Sequence, residues 1–251
     1  MAFLQQNRTR RFDRLFAMIL LHGVRRGLLV AALAGLALMM GLHAALYSGA
    51  GGLGWTPAFA IYAFGVLAVD WLAARHYPHD VFGWSNTVTL LRGALACVLI
   101  TPLVAGAPDG WAMVAIATAA LSLDGADGWL ARRHGLVSSF GARFDIEVDA
   151  ALALILAVHA LSDGLAGPVV LILGLAYYLF IAATWIFPWL GKPLPERFSR
   201  KAVCVLQLGT LIALQVPFLT ASSAFALALA ASLALLASFA VDTAWLWRHR
   251  R

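Results

Sequence analysis

Charge is what this sequence lacks. Asp, Glu, Lys and Arg make up 12% of its 251 residues and apolar residues 62%, where a soluble domain carries about a quarter charged. That excludes a water-soluble globule and a disordered chain. Cysteine is scarce too. Cys97 and Cys204 each lie in an apolar run, and neither belongs to a CxxC pair. A disulfide scaffold and a thiolate metal site are therefore excluded, and both cysteines read as small buried core residues. Acidic excess is absent, the net charge being +6. In a soluble chain that sign would suggest nucleic acid. In so apolar a chain it reports cytosolic loops and anionic lipid contact, so no nucleic-acid partner is expected.

Long apolar runs are what the sequence has. A span takes about twenty mostly apolar residues. Eight such stretches can be drawn, at 27–47, 57–74, 88–106, 111–130, 145–161, 168–190, 202–219 and 223–246. Runs of this length read as helix, and the Gly and Pro punctuation falls between them. The first is longer than the apolar region of a signal peptide and reads as an anchored span. Every Lys and Arg falls on one side of this map, so both termini are expected in the cytosol. Trp55, Trp84, Trp111, Trp189, Trp245 and Trp247 lie near proposed span ends, where aromatic residues anchor at the lipid interface. The mixed segment Tyr77–Gly93 reads as an interfacial amphipathic stretch. It divides a basic segment 1–26 and a two-span extension 27–76 from a core at 77–251. The Arg-rich N-terminus reads as topogenic and lipid-contacting.

Four aspartates gather at the expected cytosolic mouth. Asp124 and Asp127 are three apart at the inner end of one span, and Asp145 and Asp149 four apart at the inner start of the next. Both spacings share a helix face, and the short connection makes the two helices antiparallel neighbours. A charged Asp in a bilayer centre costs about 2.5–3.5 kcal/mol, and clustered carboxylates repel. Divalent cations relieve both costs. All-oxygen ligands suit Mg²⁺, Mn²⁺ or Ca²⁺, and two such ions at a membrane mouth suit phosphoryl chemistry. Gly128 and Gly141 permit close approach of a nucleotide or backbone. Ala131 is small, and Arg132 offers a cation to a phosphate oxygen.

The segment matches D-x2-D-G-x2-A-R-x8-G-x3-D-x3-D at Asp124, Asp127, Gly128, Ala131, Arg132, Gly141, Asp145 and Asp149, with every gap kept. In this it resembles the CDP-alcohol phosphotransferase (phosphatidyltransferase) family. The resemblance implies an all-α integral membrane protein with six core helices behind an interfacial N-terminal helix, here preceded by two extra spans. It implies two divalent ions, Mg²⁺ or Mn²⁺, on the four aspartates, with the nucleotide at Gly128, Ala131, Arg132 and Gly141. It further implies transfer of a substituted phosphate from a CDP-alcohol lipid donor to an acceptor hydroxyl with release of CMP, Asp149 acting as base. A homodimer in a bilayer, the bacterial inner membrane, completes the expectation. The segment Asn86–Arg92, "NTVTLLR", resembles the family's entry to its first core helix, although an interfacial Asn also serves as a plain helix cap. Arg200 and Lys201 are acceptor-binding candidates and equally candidates for topogenic charge. The acceptor alcohol is left open.

Two other functions fit parts of the pattern. A prenyl-diphosphate transferase also uses paired aspartates, but on separate repeats, whereas here the pairs are one loop apart. A transporter would place acidic and His residues within spans. Asp70, His43, His159 and Asp242 are such residues, yet they are scattered, and the two aspartates lie where arginines can pair with them.

Overall fold

A computed structural model describes residues 2–48, 51–106, 109–195 and 197–249, with side chains from Gly23 onward except at 51–53, 126, 127, 129–132 and 134. These residues form nine α-helices and no strand. In chain order they are α1 Ala2–Leu46, α2 Gly51–His76, α3 Gly83–Val98, α4 Ile100–Ala105, α5 Gly110–His134, α6 Ser139–Ser162, α7 Val170–Ile186, α8 Phe198–Ala213 and α9 Ala221–Arg248. Each of the eight apolar stretches is met by helix. Among the described residues, four segments, Gly23–Leu46, Gly54–His76, Gly83–Ala105 and Ala221–Arg248, are long and apolar enough to cross a membrane. Gly110–Gly125 and Val170–Ile186 are shorter apolar helices. The charges of residues 124–149 interrupt the apolar pattern of α5 and α6.

The third apolar stretch becomes two helices because of Pro102. Proline has no N–H for the carbonyl four residues back, and its ring crowds that carbonyl. The helix accordingly breaks at Leu99, between α3 and α4. The stretch Tyr77–Gly93, read as one amphipathic element, is divided as well. Residues 77–82 form a loop and α3 starts at Gly83, whose positive φ of 76° suits glycine.

The chain divides into two compact units. The first comprises residues 1–101 and 120–148. Within it, α1 buries Val24, Leu28, Ala31, Met39 and His43, while Leu29, Val30, Leu33 and Met40 on its other faces are more than half exposed. In a bilayer such exposed apolar side chains face lipid. Glycines let α1 approach closely. A Cβ on Gly27 would stand 2.9 Å from Phe82 Cβ, one on Gly23 would overlap the Asp80 carbonyl, and one on Gly35 the Tyr62 hydroxyl. His43 is fully buried, with Nδ1 2.7 Å from the Met39 carbonyl and Nε2 2.6 Å from Thr101 Oγ1. Arg25 Nε pairs with Asp70 Oδ1 at 3.2 Å. In the loop, Tyr77 donates to the Phe82 carbonyl at 3.1 Å and packs edge-on to Phe140. Burial pushes its phenol pKa up, and a hydrogen bond with Asn86 partly offsets this.

The second unit comprises residues 102–119 and 149–251. Helix α9 buries Ala224, Ala228, Ala231, Leu235, Asp242 and Leu246, a seam at helical period. Buried Gln215 donates to the carbonyls of Leu156, at 3.1 Å, and Leu211, at 3.0 Å. Cys97 of the first unit is buried, but Cys204, expected in the core, is exposed on α8. An apolar run does not distinguish a protein interior from lipid, since both exclude charge equally. Among the expected interfacial tryptophans, Trp84, Trp111 and Trp247 are more than half exposed.

Candidate active site

The site is built on the facing ends of α5 and α6 and on α3. Helix α5 ends at His134 because Gly135 takes the left-handed conformation, φ 66°. Four residues later α6 begins under a serine cap, Ser138 Oγ accepting from the Gly141 amide at 3.0 Å. The tight connection puts the aspartate ends of both helices side by side.

Within the first unit, Asp124 and Asp145 offer carboxylate oxygens within 4.8 Å of each other. Asp149 follows Asp145 by one turn of the continuous helix α6, and its carboxylate oxygen meets the same limit toward Asp145. The three make an acidic triad. Its chemistry fits a divalent ion. Oxygens on opposite sides of a Mg²⁺ or Mn²⁺ ion stand about 4.2 Å apart, twice a bond of about 2.1 Å. A carboxylate-only donor set also suits these hard ions better than zinc.

The side chains of Asp127, Ala131 and Arg132, expected at the same site, lie outside the described residues. Gly128 is a half-buried position of α5. Gly141 is in the first turn of α6, where a Cβ would stand 3.1 Å from Asn86 Oδ1 and 3.2 Å from Ser138 Oγ. Its smallness therefore also serves the seating of α3 on α6. Asn86 does not cap a helix. Its amide nitrogen donates at 2.6 Å to the Phe82 carbonyl, one turn back within its own helix start. Arg200, an acceptor candidate, is in the second unit, where Nε donates to Asp242 Oδ2 at 2.8 Å and Nη2 to Oδ1 at 3.0 Å. Lys201, its neighbour, is exposed.

Arg92 was not among the residues expected at the site. It belongs to α3, its side chain is 1% exposed, and its Nη1 lies 3.0 Å from Asp124 Oδ1. The same Nη1 pairs with Asp145 Oδ1. Nε donates to the Ala120 carbonyl at 3.1 Å. The signal was present in the sequence. An arginine flanked by Leu90, Leu91, Gly93 and Ala94 sits inside an apolar run, and a charge so placed requires a partner. The one-sided placement of every Lys and Arg accounts for this arginine by topology alone and hides that need.

Among curated proteins and solved structures nothing matches this chain. A family model does match, over residues 82–240, and its description is CDP-alcohol phosphatidyltransferase. That interval is more than half of the chain, starts at the residue before α3 and contains the whole aspartate motif. With helices suited to a bilayer and the acidic triad on α5 and α6, it establishes that the chain belongs to the CDP-alcohol phosphatidyltransferase family, a family of membrane transferases for substituted phosphate groups.

Proposed function

We propose that this protein transfers a phosphatidyl group from CDP-diacylglycerol, or a related CDP-alcohol, to an acceptor hydroxyl, releasing CMP in phospholipid biosynthesis. The observation that carries the reading is the gathering of Asp124, Asp145 and Asp149 from two helices inside the matched family region. A transporter is less well supported, because the polar residues it would use have structural partners: His43 has Thr101, Asp70 has Arg25 and Asp242 has Arg200.

In this reading Asp124, Asp127, Asp145 and Asp149 hold two divalent ions, Mg²⁺ or Mn²⁺. When bound, the ions neutralise the diphosphate and stabilise the attacking and leaving oxygens. Gly128, Ala131 and Gly141 give the cytidine diphosphate room against the helix backbones, and Arg132 donates to its phosphate oxygens. The acceptor oxygen attacks the phosphorus that carries the lipid alcohol. The bond from that phosphorus to the oxygen bridging it to CMP breaks, and the acceptor proton passes to Asp149. Arg200 or Lys201 would meet an acceptor that bears a phosphate. Residues 77–251 form the catalytic core and 27–76 a two-span extension behind the basic segment 1–26. The site and both termini face the cytosol in a bacterial inner membrane, and the protein acts as a homodimer.

The test is CMP release by purified protein supplied with CDP-diacylglycerol, Mg²⁺ or Mn²⁺ and a panel of acceptors: glycerol phosphate, inositol phosphate, serine and a phospholipid. Metal-dependent CMP release with one acceptor, and a new lipid of the matching mass, is the expected result. No CMP with any CDP-alcohol would defeat the reading.

A further inference from the structure

Arg92 reaches the aspartates from a third helix. Its Nη1 is shared between Asp124 Oδ1 and Asp145 Oδ1, and its Nε is fixed by the carbonyl of Ala120. Ala120 lies one turn before Asp124 on α5, so the guanidinium grips that helix at two successive turns and α6 at one. A topogenic arginine needs none of this, because it serves its purpose while hydrated at the surface. Arg92 has instead lost its water almost entirely. Such burial is tolerable only where matched anions and a carbonyl replace the water, and the planar, forked guanidinium is suited to binding several acceptors at once.

Two consequences follow from its charge. Asp124 and Asp145 are close enough that, unneutralised, they repel. A cation shared between them cancels that repulsion and keeps their oxygens at ligand spacing. The same fixed positive charge also lies within a few ångströms of where a divalent ion would bind these carboxylates, and there it repels the ion. The first effect stabilises the metal-free site, and the second weakens metal binding.

We infer that Arg92 is a positioning residue and the site's own counter-ion, holding Asp124 and Asp145 together in the metal-free protein and opposing the divalent ions when they bind. The inference rests on the reading of these aspartates as metal ligands. It gives α3 a role in that reading. The helix delivers a charge that orders the ligand set in advance and keeps the ions from binding too tightly.

The experiment uses the full-length protein in detergent, as wild type, Arg92→Met and Arg92→Lys. Two quantities are measured: thermal unfolding in EDTA and in rising Mn²⁺, and direct Mn²⁺ binding by titration calorimetry. Methionine keeps much of the apolar stem and removes the charge. In EDTA, Arg92→Met should melt below wild type. Saturating Mn²⁺ should then raise its melting temperature by more than it raises the wild type's, since a ligand that binds the native state more tightly stabilises it more. Its Mn²⁺ dissociation constant should fall about tenfold, the scale of removing one nearby repelling charge. Arg92→Lys keeps the charge but cannot span both carboxylates and the Ala120 carbonyl. It should melt below wild type in EDTA while its Mn²⁺ affinity stays close to wild type. If Arg92→Met does not fold, Arg92→Gln, which also removes the charge, takes its place: a Mn²⁺ dissociation constant about tenfold below wild type supports the inference, and one equal to wild type overturns it. Equal melting losses with and without Mn²⁺, together with unchanged Mn²⁺ affinity in Arg92→Met, would show a packing role only and overturn the inference. A wild type that neither binds Mn²⁺ nor is stabilised by it would instead defeat the metal reading and this inference with it.

Discussion

His43 and Thr101 meet through a 2.6 Å contact between Nε2 and Oγ1, fully buried, and so tie α1 to the third span at the residue before Pro102. The imidazole is also held at Nδ1 by the Met39 carbonyl. Both ring nitrogens are thus engaged, and the ring packs against Tyr47, Trp55 and Phe59. Thr101→Val keeps the shape and removes the partner. It should cost about 0.6–1.7 kcal/mol, the range for hydrogen bonds between membrane helices, with no change in CMP release by the folded protein. Thermal unfolding beside an activity assay checks both parts.

The pair Arg200 and Asp242 separates a structural from a substrate role. Asp242 is 10% exposed at its side chain and takes two hydrogen bonds from Arg200. Arg200→Ala should destabilise the protein by about 1–3 kcal/mol, because a buried carboxylate loses its main donors. Arg197 Nη1, at 3.5 Å, is a weaker substitute. If Arg200 also meets an acceptor phosphate, Arg200→Ala should raise KM for the acceptor alone, whereas Asp242→Asn should destabilise without that KM change. Equal kinetics for donor and acceptor in Arg200→Ala would confine the residue to the ion pair.

Much of this was legible in the sequence, for physical reasons. Apolar runs placed the helices, since continuous apolar length of this kind favours helix in a bilayer, although only four of the described segments are long and apolar enough to cross one. The spacings 124/127 and 145/149 put carboxylates on helix faces, and three of those four are described and stand together. What escaped were matters of partnership. The buried state of Arg92 depends on a contact with Asp145, 53 residues away, which no local pattern carries. The exposure of Cys204 escaped because lipid and protein interior leave the same apolar signature. The break at Leu99 was readable from Pro102, but the apolar run through it invites a single helix.

The glycines of α1 predict how that helix is seated. Gly27→Leu would drive a side chain into Phe82, where even a Cβ comes within 2.9 Å. Overpacking of this kind costs about 1–3 kcal/mol. Gly41, with nothing within 4 Å of a Cβ, is the matched control, and Gly41→Leu should be close to neutral. Equal melting temperatures for the two variants would contradict the close approach of α1 to the loop before α3.

Asp124→Asn should lose metal-dependent donor binding as well as turnover, because it removes a charged ligand and a partner of Arg92 together. Its fold should persist, since the amide keeps the carboxylate's shape and can stay hydrogen-bonded. Calorimetric titration of the purified variant with CDP-diacylglycerol, with and without Mn²⁺, checks this. Wild-type affinity that still responds to Mn²⁺ would remove Asp124 from the ligand set.

The most direct test of the central claim is the rate of CMP release by Asp149→Asn beside wild type, with donor binding measured on the same samples. A general base contributes about 10²–10⁴-fold to the rate. The account predicts a loss of kcat of that order with CDP-alcohol binding retained, and no CMP release by wild type in excess EDTA. CMP release by Asp149→Asn at close to the wild-type rate, or wild-type release unaffected by EDTA, would contradict it.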